Sequence, residues 1–326
     1  MPKALCIGEL LVDFVSTAVD VTLAEAPEFA KAAGGATANV AVGLAKLGVD
    51  SGFIGKIGDE PFGDFLRQTL KQSRVDTANL ISEADRRTTL AFVATRSDGA
   101  KDILFYRNPG ADILLRPDEI DAAYVQSAEV FHYGSCSLSH QPVRDATVRA
   151  IQYAKDAGAF ISYDPNLRLM MWDTSEDAKH WIWEVMPYAN VVKAADEEWE
   201  FITDTHELES GSERILETGV ELVIVTLGEQ GCYYNNGSHQ GYVDGFKVAV
   251  VDPLGAGDGF VAAMLTQIMD SGGGVGKLPE LDDNQLQAIM RYANAAGALT
   301  TQKIGVIPAL PTASEIEAFL KAYSGS

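Results

Sequence analysis

Short apolar runs alternate with longer amphipathic stretches along almost the whole chain. Some runs, such as 222–225, are continuously apolar, which is typical of strands that are covered on both faces of a sheet. The pattern predicts strands over 5–14, 52–57, 130–133, 160–164, 191–193 and 222–227. It predicts helices over 37–47, 62–72, 143–157, 175–186, 258–269, 284–301 and 313–323. This alternation favours a mostly parallel sheet with helices on its faces.

Two regions, 15–33 and 86–113, interrupt this rhythm because neither contains a good amphipathic helix. Within the second region, 88–95 and 103–107 are predicted to form a β-hairpin. The turn Ser97-Asp98-Gly99 would join its strands. We therefore expect one domain over 1–326, with a small β-lid built from these two insertions over the carboxyl edge of the sheet.

The charge of the chain restricts its partners. It has 326 residues and a formal net charge of -21, which argues against nucleic acid or an anionic membrane surface as a partner. No apolar stretch approaches the roughly 18 residues of a membrane span. The cysteines, Cys6, Cys136 and Cys232, are too widely spaced for a disulfide framework or a zinc site. We expect a cytoplasmic protein.

The segment Gly255-Ala256-Gly257-Asp258 is the first candidate for chemistry. A β-type run is predicted to end at Asp252, and the glycine-rich turn then leads into an apolar helix. Backbone amides in such a turn form a natural anion site. A carboxylate beside that site could take a proton from a hydroxyl while the amides hold a phosphoryl group. The alternative is a simple helix cap, since Asp is a favoured N-cap residue.

A second candidate lies near the N-terminus. Gly34 and Gly35 would allow a ligand to approach the backbone before a helix, and Asn39 offers both donors and an acceptor to a sugar hydroxyl. The alternative is an ordinary helix start with Thr37 as its cap. Asp13 ends the first predicted strand, where α/β proteins bind ligands, or it is a solvated strand end.

These two segments, in this order, resemble the two signatures of the PfkB (ribokinase-like) family of sugar kinases. The resemblance implies a three-layer α/β/α domain with an inserted lid, and ATP and Mg²⁺ as cofactors. It implies that Asp258 is the catalytic base and that the amides of Gly255, Ala256 and Gly257 form the anion hole. The sugar contacts that it implies are Asp13, Gly34, Gly35, Asn39, Asn166 and Asp258.

Further segments extend the resemblance. Asp164-Pro165-Asn166-Leu167-Arg168 is similar to a family motif that places the Arg near the sugar and the transferred phosphate. An Arg over developing phosphoryl charge is chemically sensible, although a surface Arg is the alternative. The implied ATP contacts are Lys193, Thr226, Gly228, Gly231, Gly257 and Asn294. Asn294 would equally suit a buried helix–helix contact.

The chain departs from the family pattern at two places. Ala195 replaces the Asn of an Asn-x-x-Glu motif that orients Mg²⁺, which leaves Glu198 to act on the metal through water. Carboxylates in a first helical turn also favour the helix dipole, and both roles are compatible. Leu254 has no side-chain oxygen for the monovalent-cation site of the family, so activation by K⁺ is left open.

The resemblance implies phosphorylation of a primary hydroxyl of a monosaccharide. Residues 34–48, 105–112 and 131–135 are most similar to fructokinases, with Arg107 at the lid edge as a further sugar contact. 2-Keto-3-deoxygluconate kinases share much of this pattern and are the alternative. A catalytically silent sugar sensor is a third candidate, against which the intact Asp258 argues. A homodimer through the lid is also expected.

Overall fold

A computed structural model describes residues 1–96, 101–272 and 274–324. Within these ranges the strands are β1 Ala4–Ile7, β2 Leu11–Ser16, β3 Phe29–Gly34, β4 Ser51–Gly58, β5 Leu80–Glu83, β6 Leu90–Thr95, β7 Lys101–Tyr106, β8 Val130–Gly134, β9 Phe160–Asp164, β10 Val191–Ala195, β11 Leu222–Thr226, β12 Gly231–Asn235 and β13 Gln240–Asp244. The helices are α1 Ala36–Lys46, α2 Pro61–Gln72, α3 Ala122–Gln126, α4 Val143–Asp156, α5 Ser175–Val185, α6 Asp196–Thr203, α7 Leu208–Leu216, α8 Ala256–Asp270, α9 Asp283–Thr300, α10 Val306–Ala309 and α11 Ala313–Ser324.

The main sheet has, in the described part of the chain, nine strands in the order β13-β12-β11-β10-β9-β8-β1-β4-β5. From β11 to β5 all neighbours are parallel, whereas β12 and β13 add an antiparallel hairpin at one edge. The strand order reverses at β1, which lies between β8 and β4. Ligands of open α/β sheets bind at the carboxyl ends of the strands beside such a reversal.

Two hydrophobic cores cover the faces of this sheet and produce the three layers. One core contains apolar side chains of α1, α8, α9 and α11, and the other contains those of α4 to α7. Both faces are buried, which explains why strands such as β11 are continuously apolar. No helix of the described residues is both long and apolar enough to cross a bilayer.

A smaller sheet forms the lid. Within the described residues it has four strands in the order β3-β2-β6-β7. The pairs β2–β3 and β6–β7 are antiparallel, and β2 joins β6 in parallel. The predicted fold class is confirmed: a mostly parallel sheet lies between helices and carries a separate lid. The predicted turn Ser97-Asp98-Gly99 falls outside the described residues.

The predicted helices agree with the structure to within two residues at each end, but the first predicted strand does not. The apolar run 5–14 contains two strands, β1 of the main sheet and β2 of the lid, with a break at Gly8-Glu9-Leu10. Asp13 therefore lies on a lid strand and not at the end of a main-sheet strand. Both strands are apolar because each has a buried face, so hydrophobicity alone does not reveal the change of sheet.

Two further expectations were wrong. Residues 245–255 contain no strand, so no β-type run ends at Asp252. The lid hairpin ends at Tyr106, and residues 111–114 instead form a short 3₁₀ turn. That turn packs on β4 and belongs to the main body.

Candidate active site

A cleft of about 800 Å³ lies between the lid and the carboxyl edge of the main sheet. Its lid wall includes Asp13, Val93 and Phe105, and its floor includes the start of α8. The predicted site residues that line it are Asp13, Gly35, Asn39, Asn166, Arg168, Lys193, Glu198, Thr226, Gly228, Gly231, Gly255, Ala256, Gly257, Asp258 and Asn294. Gly34 and Arg107 are not among its lining residues.

The first turn of α8 has the geometry of an anion site. Gly255 is the N-cap with φ 78°, a left-handed conformation that favours glycine. A Cβ at this position would lie 2.2 Å from Cγ1 of Val306, so the packing against α10 also requires glycine. The helix starts at Ala256, and its first amides point towards the cleft without intrahelical partners.

Asp258 is not the N-cap of α8, because it lies in the third position of the helix. Its side chain is only 6% exposed, and its Oδ2 accepts a hydrogen bond of 2.8 Å from Nδ2 of Asn39. Burial raises the pKa of Asp258 to about 7, although the Asn39 hydrogen bond lowers it. A carboxyl group with this pKa can accept a proton near neutral pH.

Asn39 has a second feature that indicates a ligand. Its Oδ1 is buried and has no hydrogen-bond partner within the described residues. Thr37, which was considered as the cap of α1, is buried in that helix, and Gly35 occupies the N-cap position with φ 116°. An unpaired buried acceptor is unfavourable, so a hydroxyl group from a ligand would satisfy Asn39.

Two carboxylates lie on the lid side of the cleft. Glu9 is buried and its Oε1 accepts from the amide of Ala36, the first residue of α1. Asp13 is half-buried, and burial raises its pKa to about 7 despite the opposing charge of Arg168. Gly34 makes room for this carboxylate, because a Cβ there would lie 2.1 Å from Oδ2 of Asp13.

Arg168 and Asn166 follow β9 at the opposite wall. Arg168 is exposed and lines the cleft, and its charge opposes the rise that burial causes in the pKa values of Asp13 and Asp258. Asn166 has φ 44°, and its amide donates to Oδ1 of Asp164. The turn after β9 thus directs an arginine into the cleft.

Arg107 lies at the base of the lid and does not line the cleft, so its predicted sugar contact stays a prediction. Its guanidinium is 6% exposed and forms an ion pair with Asp112 at 2.7 Å. It also donates to Oγ of Ser139 and to the carbonyl oxygen of Cys136. These contacts fix the end of β7 to the main body at the base of the lid and engage each nitrogen of the guanidinium.

The other half of the cleft contains the predicted ATP contacts. Gly231 has φ 101° and begins β12 where a Cβ would lie 2.0 Å from the carbonyl oxygen of Val243, so only glycine fits. Thr226 ends β11 and donates to the carbonyl of Ala194. Asn294 donates to the carbonyls of Val243 and Asp244, which gives this side chain a structural contact as well as a place in the cleft wall.

Glu198 is buried at the start of α6. Its Oε1 accepts from the amide of Ala195 and its Oε2 from the amide of Leu167. Burial raises its pKa, and the negative charge of Asp164 adds to that. Each oxygen keeps a lone pair that can accept from a water molecule. Helix capping and a water-mediated metal contact are therefore compatible at this residue.

Two residues of the site were missed by the choice of candidates from sequence. Glu9 lines the cleft, and its only signal was a charged residue inside the apolar run 5–14. Asp164 begins the segment Asp164-Pro165-Asn166-Leu167-Arg168 but is not among the predicted site residues. It forms a buried ion pair of 3.2 Å with Lys193. That pair depends on the order of the strands, which a local motif does not show.

The chain is similar to carbohydrate kinases over nearly its full length. The sequence profile of the pfkB family of carbohydrate kinases matches residues 1–313. Probable fructokinase-4 of Arabidopsis thaliana is 47% identical over 315 residues, which cover 96% of this chain and 95% of that protein.

Two solved structures are also similar. Fructokinase from Xylella fastidiosa with bound ATP superposes with a TM-score of 0.91 at 31% identity, covering 99% of this chain and 100% of that chain. Fructokinase from Vibrio cholerae O395, with fructose, ADP and calcium ion bound, gives a TM-score of 0.88 at 31% identity, with 98% and 99% coverage.

Proposed function

The chain belongs to the pfkB family of carbohydrate kinases and is a sugar kinase, and we propose that it transfers the terminal phosphoryl group of ATP to the primary hydroxyl on C6 of D-fructose, giving fructose 6-phosphate and ADP. The fructokinases among its relatives and structural neighbours support this substrate. The observation that carries the proposal is the buried Asp258 carboxylate directly beside the free amides of α8.

Asp258 would act as the general base. A hydroxyl of the sugar donates its proton to the Asp258 carboxylate as its oxygen forms a bond to the γ-phosphorus, and the bond from that phosphorus to the bridging oxygen of ADP breaks. Asn39 holds the carboxylate at 2.8 Å and offers its unpaired Oδ1 to a second hydroxyl. Both contacts would orient the sugar for in-line transfer.

The phosphoryl group would lie between positive groups from three elements. The amides of Gly255, Ala256 and Gly257 would contact it at the start of α8, and the Nζ of Lys193 lies beside Gly257. Arg168 approaches from the turn after β9. Donors that are held in place before the reaction stabilise the charge of the transition state without reorganisation.

Mg²⁺ fits this site as an ion that is held mainly by phosphates and water. In the described ranges no three His, Cys, Asp or Glu side chains gather as a metal cage, and Mg²⁺ commonly keeps several waters. Glu198 would orient one of these waters. When bound, the ion would neutralise charge on the β- and γ-phosphates. Activation by K⁺ stays open, because Leu254 offers no side-chain oxygen to a monovalent cation.

The charge of the sugar half favours a neutral sugar over an acid such as 2-keto-3-deoxygluconate. Glu9, Asp13 and Asp258 provide three carboxyl groups there. The guanidinium of Arg107 is engaged by Asp112, and of the two cations that line the cleft Lys193 is paired with Asp164, which leaves Arg168 for a substrate carboxylate. Above about pH 7, where Asp13 and Asp258 are ionised, a substrate carboxylate would meet repulsion that a hydroxyl does not.

The lid would close over the sugar and exclude water, which limits hydrolysis of ATP. We also propose that the chain forms one domain and that two lids associate in a homodimer. The aromatic face of the lid, defined as the rings of Phe14, Phe29, Phe92 and Tyr106, supports this dimer. A cytoplasmic location stays a prediction.

A coupled assay of ADP release over a panel of sugars tests the function. We expect the highest kcat/KM with D-fructose and a product that carries its phosphate on the C6 hydroxyl. If kcat/KM is higher with 2-keto-3-deoxygluconate than with D-fructose, then 2-keto-3-deoxygluconate is the substrate and fructose is not. Binding of fructose without ADP release would favour the silent sensor.

A further inference from the structure

Lys193 and Asp164 lie side by side at the carboxyl ends of two parallel strands. Val192 of β10 is in register with Tyr163 of β9, so the next residue of each strand reaches the edge together. The Nζ of Lys193 lies 3.2 Å from Oδ2 of Asp164, and both side chains are at least nine-tenths buried. Buried charges of this kind are stable only when they are paired.

The ammonium group of Lys193 also lies against the first turn of α8. A Cβ built on Gly257 would be 3.1 Å from Nζ, and glycine leaves that space open. Both the ammonium and the helix N-terminus attract anions. The ion pair therefore brings a full positive charge to the position where the amides of α8 would receive phosphate oxygens.

We propose that Asp164 is a positioning residue that holds the Lys193 ammonium at the N-terminus of α8, where ammonium and amides together receive the transferring phosphoryl group. This inference rests on the proposed function. The second carboxylate oxygen of Asp164, Oδ1, accepts a hydrogen bond from the amide of Asn166. Asp164 thus contacts both Lys193 and the turn that carries Arg168, and therefore links them.

Burial alone would lower the pKa of Lys193 and favour the neutral amine. The carboxylate of Asp164, followed by that of Glu198, raises the pKa above its usual value instead. Without Asp164 the ammonium would lose both its nearest charge and its fixed orientation. ATP binding and turnover should then suffer, whereas the sugar half of the cleft keeps its own contacts.

A double-mutant cycle with Asp164→Asn and Lys193→Met tests this. In Asp164→Asn we expect kcat to fall by at least about tenfold and calorimetry to show weaker ATP binding, with the fructose KM within about twofold of wild type. In the Lys193→Met background the Asp164→Asn substitution should change kcat by less than about twofold, because the ammonium group that Asp164 positions is absent. An equal loss in both backgrounds, or an unchanged kcat in Asp164→Asn, would overturn the proposal.

Glu119→Gln is the matched control. Glu119 pairs at 2.9 Å with Lys56, another buried lysine, which does not line the cleft. It should leave kcat and ATP affinity unchanged, and a similar loss in Glu119→Gln would assign the effect to general destabilisation.

Two measurements keep the test decisive. If Asp164→Asn alone does not fold, the neutral pair Asp164→Asn/Lys193→Met is compared with Lys193→Met, and a tenfold lower kcat in the double variant contradicts the proposal. ATP calorimetry needs no sugar, so it separates the outcomes. If the wild-type enzyme does not phosphorylate fructose, the proposed function is refuted. If Asp164→Asn leaves the ATP affinity unchanged, only this inference is refuted.

Discussion

Asp258 is the residue on which turnover should depend most. Asp258→Asn keeps the shape of the side chain, and its amide oxygen can still accept from Asn39. We expect kcat to fall by about 10²–10⁴, the usual contribution of a general base, with little change in fructose affinity. In the wild type, the acid limb of the kcat/KM profile should lie near the pKa of about 7, because activity needs the deprotonated carboxylate. A variant with near wild-type kcat would exclude Asp258 as the base.

The same residue should reduce the stability of the fold at high pH. The pKa of Asp258 rises from 3.8 to about 7 on folding, so between these values the native state binds more protons than the unfolded state. The free energy of unfolding therefore decreases as pH rises through this window. Asp258→Asn should be more stable than wild type at about pH 8, by on the order of 2 kcal/mol, and the difference should shrink towards pH 5. Urea unfolding at both pH values measures this. A stability difference that does not depend on pH would contradict the raised pKa.

At the scale of the element, the start of α8 depends on Gly255. Gly255→Ala adds a Cβ that would lie 2.2 Å from Val306 and strains a backbone with φ 78°. We expect kcat to fall by about 10²-fold as the amides move, since the loss of one oxyanion donor has an effect of that size. The fructose KM should change less.

Gly219→Ala is the control for this element, because Gly219 has φ 101° but nothing within 4 Å of its Cβ position. It should lower the free energy of unfolding by about 1–2 kcal/mol and leave kcat unchanged. Should both alanine variants lose turnover equally, the effect would come from backbone strain in general and not from the anion site.

At the scale of the whole molecule, the lid should join two copies of the chain. Tyr106 is 61% exposed at the edge of the aromatic face, and Leu104 of the same strand is 48% exposed. Exposed apolar side chains that cluster usually mark a partner surface, and a homodimer would bury the same face twice. Sedimentation should show a dimer for wild type and a monomer for Tyr106→Asp.

Tyr242→Asp provides the comparison for this prediction. Tyr242 is 65% exposed on β13, at the far edge of the main sheet, and its replacement should leave the dimer intact. A wild-type monomer at high protein concentration would refute the lid dimer. Lid closure is tested separately, because hydrogen exchange of β6 and β7 should slow when sugar is added.

The sequence by itself determined the elements and the chemistry that depends on neighbours along the chain. The apolar runs of β9 and β11 are short and continuous because both sheet faces are covered, and the helical period gave α2 and α4 to within two residues. The Gly255-Ala256-Gly257-Asp258 turn could be recognised because an amide anion site and its carboxylate are local features. In each case the structure depends on residues that are close together along the chain, so the local sequence pattern is enough to predict it.

Only the tertiary structure decided which distant side chains meet. Hydrophobicity does not distinguish β1 from β2, because both have buried faces. The sequence therefore does not show that Asp13 lies on a strand of the lid and not of the main sheet. Arg107 forms a buried ion pair with Asp112, since a buried guanidinium needs a carboxylate, and no local pattern shows that pairing. Lys193 and Asp164 pair because β10 lies beside β9. Strand order, which follows from the packing of the whole chain, sets these contacts, and no local pattern encodes it.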